Sequence, residues 1–196
     1  MNTQSQKTNA SGFTLVEFII AMTITAIFGS IVLPIGQRVI LRAHQEADKR
    51  KMQYLALTYV AALNEGHLGD TFDPRDGIVS FARTWAKVGG PDTLDFYQSA
   101  KRTKKSGKKV SLLDETIPLA GEDFDFIAVY PLPNSAVSDE MPVFFTRGLQ
   151  EDGSWSKDSL YGAEGGLVAF ADSQVKPYKN AKEAFSLWLK YLGVDL

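Results

Sequence analysis

The sequence predicts an α+β chain in which a long N-terminal helix, apolar in its first half and amphipathic in its second, packs on a small antiparallel β-sheet followed by a C-terminal helix. Three observations predict it. A run from Phe13 to Leu33 is apolar apart from Glu17 and small hydroxyl residues. The helical pattern then continues, with no clear stop, to about Leu63. Beyond Gly66 the pattern shifts to short apolar runs separated by Gly, Pro and Asp, the composition of strands and turns.

The N-terminal segment divides into a polar part and an apolar part. Residues 1–12 (MNTQSQKTNASG) carry one basic side chain, Lys7. From Phe13 to Leu33 a helix is about 31 Å long, roughly one hydrocarbon core. A secretory signal would end its apolar run at a small-residue cleavage site followed by mature sequence; here the helical pattern runs on through RVILRAHQEADKRKMQYLALTYVAALNEG. Glu17 counts against a plain membrane anchor, since a carboxylate inside an apolar span is costly and marks function by default; the alternative is that it lies close enough to the membrane edge to reach water.

Composition narrows the chemistry. The 196 residues suffice for one domain plus an appended element, and a net charge of -2 gives no bulk attraction to nucleic acid. With no cysteine, disulfides, thiolate metal sites and cysteine nucleophiles are excluded. Two histidines, His44 and His67, exclude a multi-histidine metal site. Neither G-x-S-x-G nor a phosphate-binding P-loop occurs, so an enzyme is not expected and no cofactor is called for.

Ser11-Gly12-Phe13-Thr14-Leu15-Val16-Glu17, set directly before the apolar run, resembles the processing signature of type IV prepilins and type II secretion pseudopilins. The resemblance covers about the first 35 residues. It implies that a membrane prepilin peptidase cuts after Gly12, that Phe13 becomes the methylated N-terminus, and that Glu17 is the filament-assembly carboxylate. It also implies a pilin-like fold, with 1–12 as leader, 13–65 as the long helix (13–35 spanning the membrane and then forming the filament core), and 66–196 as a globular head. The implied partners are other pilin-like subunits in a homo- or hetero-polymer, the peptidase, the inner-membrane assembly machinery, and lipid before assembly. The implied location is the bacterial inner membrane, single pass with the leader cytoplasmic, then a periplasmic or surface filament. Local charge does not itself favour that orientation, because Arg38 and Arg42 follow the span while only Lys7 precedes it.

Physical reasons stand beside the resemblance. Gly12 has no side chain, so a peptidase cleft can approach its backbone closely. Cleavage there would create an ammonium group at Phe13, able to pair with Glu17 of a neighbouring subunit and offset the cost of a carboxylate in hydrocarbon. Pro34 falls where many family members bend the helix. It either kinks or locally opens the helix, with Gly29 and Gly36 nearby, or simply marks the membrane exit.

After Gly36 the helix reads as amphipathic. Val39, Ile40, Ala43 and Ala47 lie along one side, and Met52, Leu55, Tyr59, Ala62 and Leu63 form a second stripe expected to bury against the head. Asp48, Lys49, Arg50 and Lys51 read as a polar girdle between them. A continuous helix from Phe13 to Leu63 would measure roughly 77 Å.

In the head, GHLGDTFDPRDG reads as a linker and 78–88 as a short helix closed by Gly89-Gly90-Pro91. The segments 124–130, 142–148 and 166–175 read as strands, and 149–165 as an exposed loop. Asn180 is a candidate cap for a C-terminal helix bearing Phe185, Trp188, Leu189 and Leu192. The segment from Pro142 to Tyr178, with TRGL, DG-x-W and YG-x-x-GG-x-V-x-F-x-D, resembles the C-terminal region of some bacterial pilin-like proteins. In those a glycine commonly follows the aspartate in a tight turn; this chain has Asp172-Ser173-Gln174, and no binding role is carried over.

Two clusters offer other chemistry. Lys101 to Lys109 holds six basic residues in nine positions, a candidate for phosphate contacts, but no aromatics interleave it and charge runs usually lie on solvated loops, so nucleic acid is not an expected partner. Asp70, Asp73 and Asp76, and separately Asp152 and Asp158, are candidate calcium ligands; their spacing differs from the calcium loop of EF-hands, and turn formation explains aspartates there equally well. The sequence thus points to a structural subunit of a type IV pilus or type II secretion pseudopilus. The alternatives are a minor pilin whose head binds DNA, a receptor or a secreted substrate, and a membrane-anchored domain that does not polymerise.

Overall fold

A computed structural model describes residues 14–66, 77–102, 109–129, 138–150, 152–157, 159–184 and 186. Its contacts fall into two compact units, Met1–Arg42 and Ala43–Leu196. A single helix, α1 (Leu15–Asn64, 50 residues), contributes to both. The helical assignment runs through Pro34. In the second unit α1 is followed by α2 (Gly77–Lys87) and four strands: β1 (Phe126–Ala128), β2 (Pro142–Thr146), β3 (Gly166–Phe170) and β4 (Val175–Tyr178). The strands form one antiparallel sheet in chain order, the α+β arrangement expected from the sequence.

The second apolar stripe of α1 makes the core of this unit, as its spacing predicts. Met52, Leu55, Ala56, Tyr59 and Ala62 are buried. Tyr59 stands at the centre, its ring 5.2 Å from Phe81, 5.5 Å from Trp85 and 5.6 Å from Phe144. Phe81 and Trp85 come from α2, one turn apart, and Phe144 from β2, so this aromatic cluster ties two helices to the sheet. The short helix of the sequence reading is therefore α2, and it gives way to a turn in which Gly89 adopts φ 99. Every residue of β2 and β3 is buried, so both faces of the central strands are covered.

The polar-girdle reading of 48–51 is corrected for Asp48 and Lys51, whereas Arg50 is exposed and Lys49 pairs with Glu46 at 2.7 Å. Asp48 is fully buried. Its Oδ1 accepts from the Ala100 N–H at 2.6 Å and its Oδ2 from the Tyr161 hydroxyl at 2.7 Å. Burial raises the Asp48 carboxyl above the ordinary aspartate range, against the lowering effect of both donors and of Lys51. Lys51 follows it inward, its Nζ donating to the carbonyls of Asp95 at 2.8 Å and Gln98 at 2.9 Å. Asp48 lies four residues before Met52 and seven before Leu55, so helical spacing puts it on the core face whatever its neighbours' charge.

The single strand expected over 166–175 is a hairpin instead. Residues 171–174 turn, and β4 pairs back on β3 with Leu167 opposite Pro177. Phe170 N–H donates to Gln174 O at 2.9 Å, and Asp172 Oδ1 accepts from Gln174 N–H at 2.8 Å. Ser173 sits at φ 65, where its Cβ is crowded and where glycine would be at ease. Ser173→Gly is therefore expected to stabilise the head by about 1 kcal/mol; denaturant unfolding of the two chains measures it, and a loss of stability contradicts it. Past the turn, β4 is an edge strand whose Lys176 and Pro177 are exposed, residues that discourage further strand pairing.

The segment 149–165, expected to be exposed, is partly packed in. Gly153, Ser159, Tyr161 and Gly165 are buried. The C-terminal segment begins as expected, with Asn180 Oδ1 accepting from Lys182 N–H at 2.8 Å and helical backbone at 182–184. Phe185, Trp188, Leu189 and Leu192 lie outside the described residues.

Candidate functional site

The candidate functional residues lie at the start of α1. Thr14 precedes the first helical residue, and Glu17 lies in the first turn. The Thr14 N–H and the Thr14 hydroxyl both donate to Glu17 Oε2 at 2.9 Å, and the Glu17 N–H donates to Thr14 Oγ1 at 3.2 Å. This is a reciprocal capping box, which satisfies N–H groups that a helix start leaves without partners. Thr14 was not singled out from the sequence, although the T-x-x-E spacing before an apolar run is the signal that finds it.

The rest of the apolar half is arranged for a medium without water. Thr23 and Thr25 each return a hydroxyl bond at 2.8 Å to the carbonyls of Ile19 and Ala21, and Ser30 does so at 2.7 Å to Ile27. No hydroxyl of this stretch needs an outside partner, as hydrocarbon requires. Among the described side chains, the large apolar ones of Leu15, Val16, Phe18, Ile19, Ile20, Met22, Ile24, Ile27, Phe28, Leu33, Ile35, Val39 and Ile40 are 49% to 76% exposed, and none of the most apolar window is covered by the chain itself. The helix is long and apolar enough to cross a membrane. An apolar surface of that extent calls for lipid or for other protein.

The remaining sequence candidates fall as follows. Gly12, Phe13, Asp70, Asp73, Asp76 and Asp158 lie outside the described residues. Asp152 is exposed, its Oδ1 accepting from Ser154 N–H at 2.9 Å in a turn. Among the described residues no group of three His, Asp or Glu side chains converges to hold a metal. Of the basic run, Thr103–Lys108 lies outside the described residues. Its second residue, Arg102, is turned inward, with Nη1 donating to Glu122 O at 2.7 Å and lying 3.5 Å from the buried Asp125 carboxylate. Arg147 approaches the same carboxylate at 3.6 Å.

The glycine-rich segment between β2 and β3 shows a structural use. Gly153 is at φ 78, and a Cβ there would lie 2.5 Å from Lys182 Cα; its carbonyl accepts from Ala181 N–H at 2.8 Å. Gly165, at φ 88, sits directly against the Tyr178 carbonyl. Together with the Tyr161–Asp48 bond, these approaches fasten the segment to β4, to the start of the C-terminal segment and to α1 without a disulfide.

Residues 7–33 match the family model described as the prokaryotic N-terminal methylation motif. This is the type IV pilin and pseudopilin signature. The match supports a pilin-like or pseudopilin-like substrate of prepilin peptidase and implies assembly with pilin-like subunits, and the apolar helix is long enough to anchor it. No curated protein and no solved structure matches the chain.

Proposed function

We propose that this pilin-like chain is a structural subunit of a type IV pilus or type II secretion pseudopilus, cleaved after Gly12, methylated on Phe13 and polymerised through α1. The observation that carries the proposal is the exposed apolar half of α1, headed by a carboxylate and matched by the methylation motif. Before assembly that half lies in the inner membrane, with the leader on the cytoplasmic side and the head outside. After cleavage, the ammonium of one subunit pairs with Glu17 of another, which sets axial register and disfavours uncleaved chains. The role is mechanical, with no catalytic step.

Gly12→Val tests the first step. A β-branched side chain at the scissile position obstructs close backbone approach, so the variant is expected to keep its leader by intact mass, remain in the membrane fraction and be missing from sheared filaments. Filaments of the variant at the unaltered chain's yield would contradict the proposal.

A further inference from the structure

We infer that Tyr54, Leu57 and Phe96 form a docking platform for the apolar N-terminal half of α1 of a second copy of this chain. This rests on the filament reading above and names a head surface which that reading leaves unassigned.

Among the described residues of the unit Ala43–Leu196, large apolar side chains are mostly buried; Leu57 is 61%, Leu113 48%, Tyr54 45% and Val88 38% exposed, and of these Leu57 and Tyr54 lie on one helix. They stand three apart on α1, and exposed Ala61 follows four residues later, so all three share one stripe off the core face. The Tyr54 ring is stacked on Phe96, with centroids 5.4 Å apart and planes 30° from parallel. Phe96 closes the short helical turn Leu94–Phe96. That turn is fixed to α1, because Lys51 Nζ holds the carbonyls of Asp95 and Gln98. The aromatic surface is thus set in place before any partner arrives, and little side-chain freedom is lost on contact. Fixed aromatic and aliphatic side chains of this kind are what interface centres use.

The chain supplies a matching occupant. A stripe at helical spacing accepts another helix, ridge into groove. The apolar half of α1 is such a helix, and its large side chains are exposed in the single copy. When that half leaves lipid for a polymer, it needs apolar surface on other copies. Lipid does not suit the platform itself, since Arg50 and Gln53 are exposed beside it.

The test uses the full-length chain assembled in its own cells. Leu57→Lys and Glu17→Ala are compared with the unaltered chain for N-terminal processing and for sheared filament yield. Leu57 is exposed, so the lysine does not enter the core. Because the chain has no cysteine, Leu57→Cys can also be paired with single cysteines at Ile24, Phe28 or Ile35 and oxidised within filaments. The expected result is normal processing of Leu57→Lys, a fall in yield of about tenfold, and an intermolecular disulfide from position 57 to at least one of the three. Normal yield from Leu57→Lys without any cross-link overturns the platform while a loss with Glu17→Ala upholds the filament reading. Lost yield without a cross-link overturns the choice of occupant. Normal yield from Glu17→Ala as well overturns the filament reading and the platform with it.

Discussion

Glu17→Ala is expected to insert in the membrane as the unaltered chain does, while sheared filament yield falls by about tenfold or more. The carboxylate is the sole charge in the apolar run that begins at Phe13. In the proposed polymer its partner is a neighbour's ammonium, and a hydrogen bond to a charged group contributes about 1.5–3 kcal/mol. Lost at every contact, that is about tenfold or more in each association step. Glu17→Gln separates charge from capping, because an amide oxygen still accepts from the Thr14 N–H. If Glu17→Gln restores full yield, the carboxylate serves only as the helix cap, and the pairing account is wrong.

The second large effect lies in the head. Asp48→Ala leaves the Tyr161 hydroxyl and the Ala100 N–H without their acceptor in a buried place and is expected to cost about 2–4 kcal/mol. Asp48→Asn should cost much less, since its oxygen accepts from Ala100 and its amide donates to the Tyr161 oxygen. The pH dependence has a definite sign. The folded carboxyl is raised above the unfolded one, so between those two values the folded chain holds more proton. This contribution to stability is complete below the ordinary aspartate range and is lost as pH rises through the raised value. Asp48→Asn should therefore compare best with the unaltered chain at neutral pH and lose ground as pH falls toward about 4. Denaturant unfolding of detergent-solubilised chains at both pH values measures this; the opposite trend would mean that the buried carboxylate is stabilised by its charge.

What could be read in advance, and what could not, follows from the range of each interaction. The apolar run, the second stripe of α1 and the α2 segment are periodic over many residues, and each formed as its spacing indicated. The Thr14–Glu17 box is equally local and was legible, though obscured by the attention that a charge in an apolar run draws to itself. Asp48 reads as part of a polar girdle because three basic residues follow it, whereas its spacing from Met52 and Tyr59 places it on the buried face. The β3–β4 turn is legible only through the resemblance, which places a tight turn after Asp172; by pattern alone 166–175 reads as one strand, because Ser173 occupies a position where glycine would mark the break. Nothing near Gly153 or Gly165 in sequence foretells their close approaches to Lys182 and Tyr178, since only the folded chain brings those backbones together. The head platform is of the same kind: Tyr54 looks like one more helix aromatic until Phe96 is seen stacked on it.

Quantitative mass spectrometry of filaments sheared from cells that produce the chain shows whether it is cleaved after Gly12 and polymerised. The expected result is a peptide that begins at methylated Phe13 in the sheared fraction, with the uncleaved N-terminus confined to the membrane. An intact Gly12–Phe13 bond throughout, with no processed chain in any filament, would contradict it and leave a membrane-anchored domain that does not polymerise.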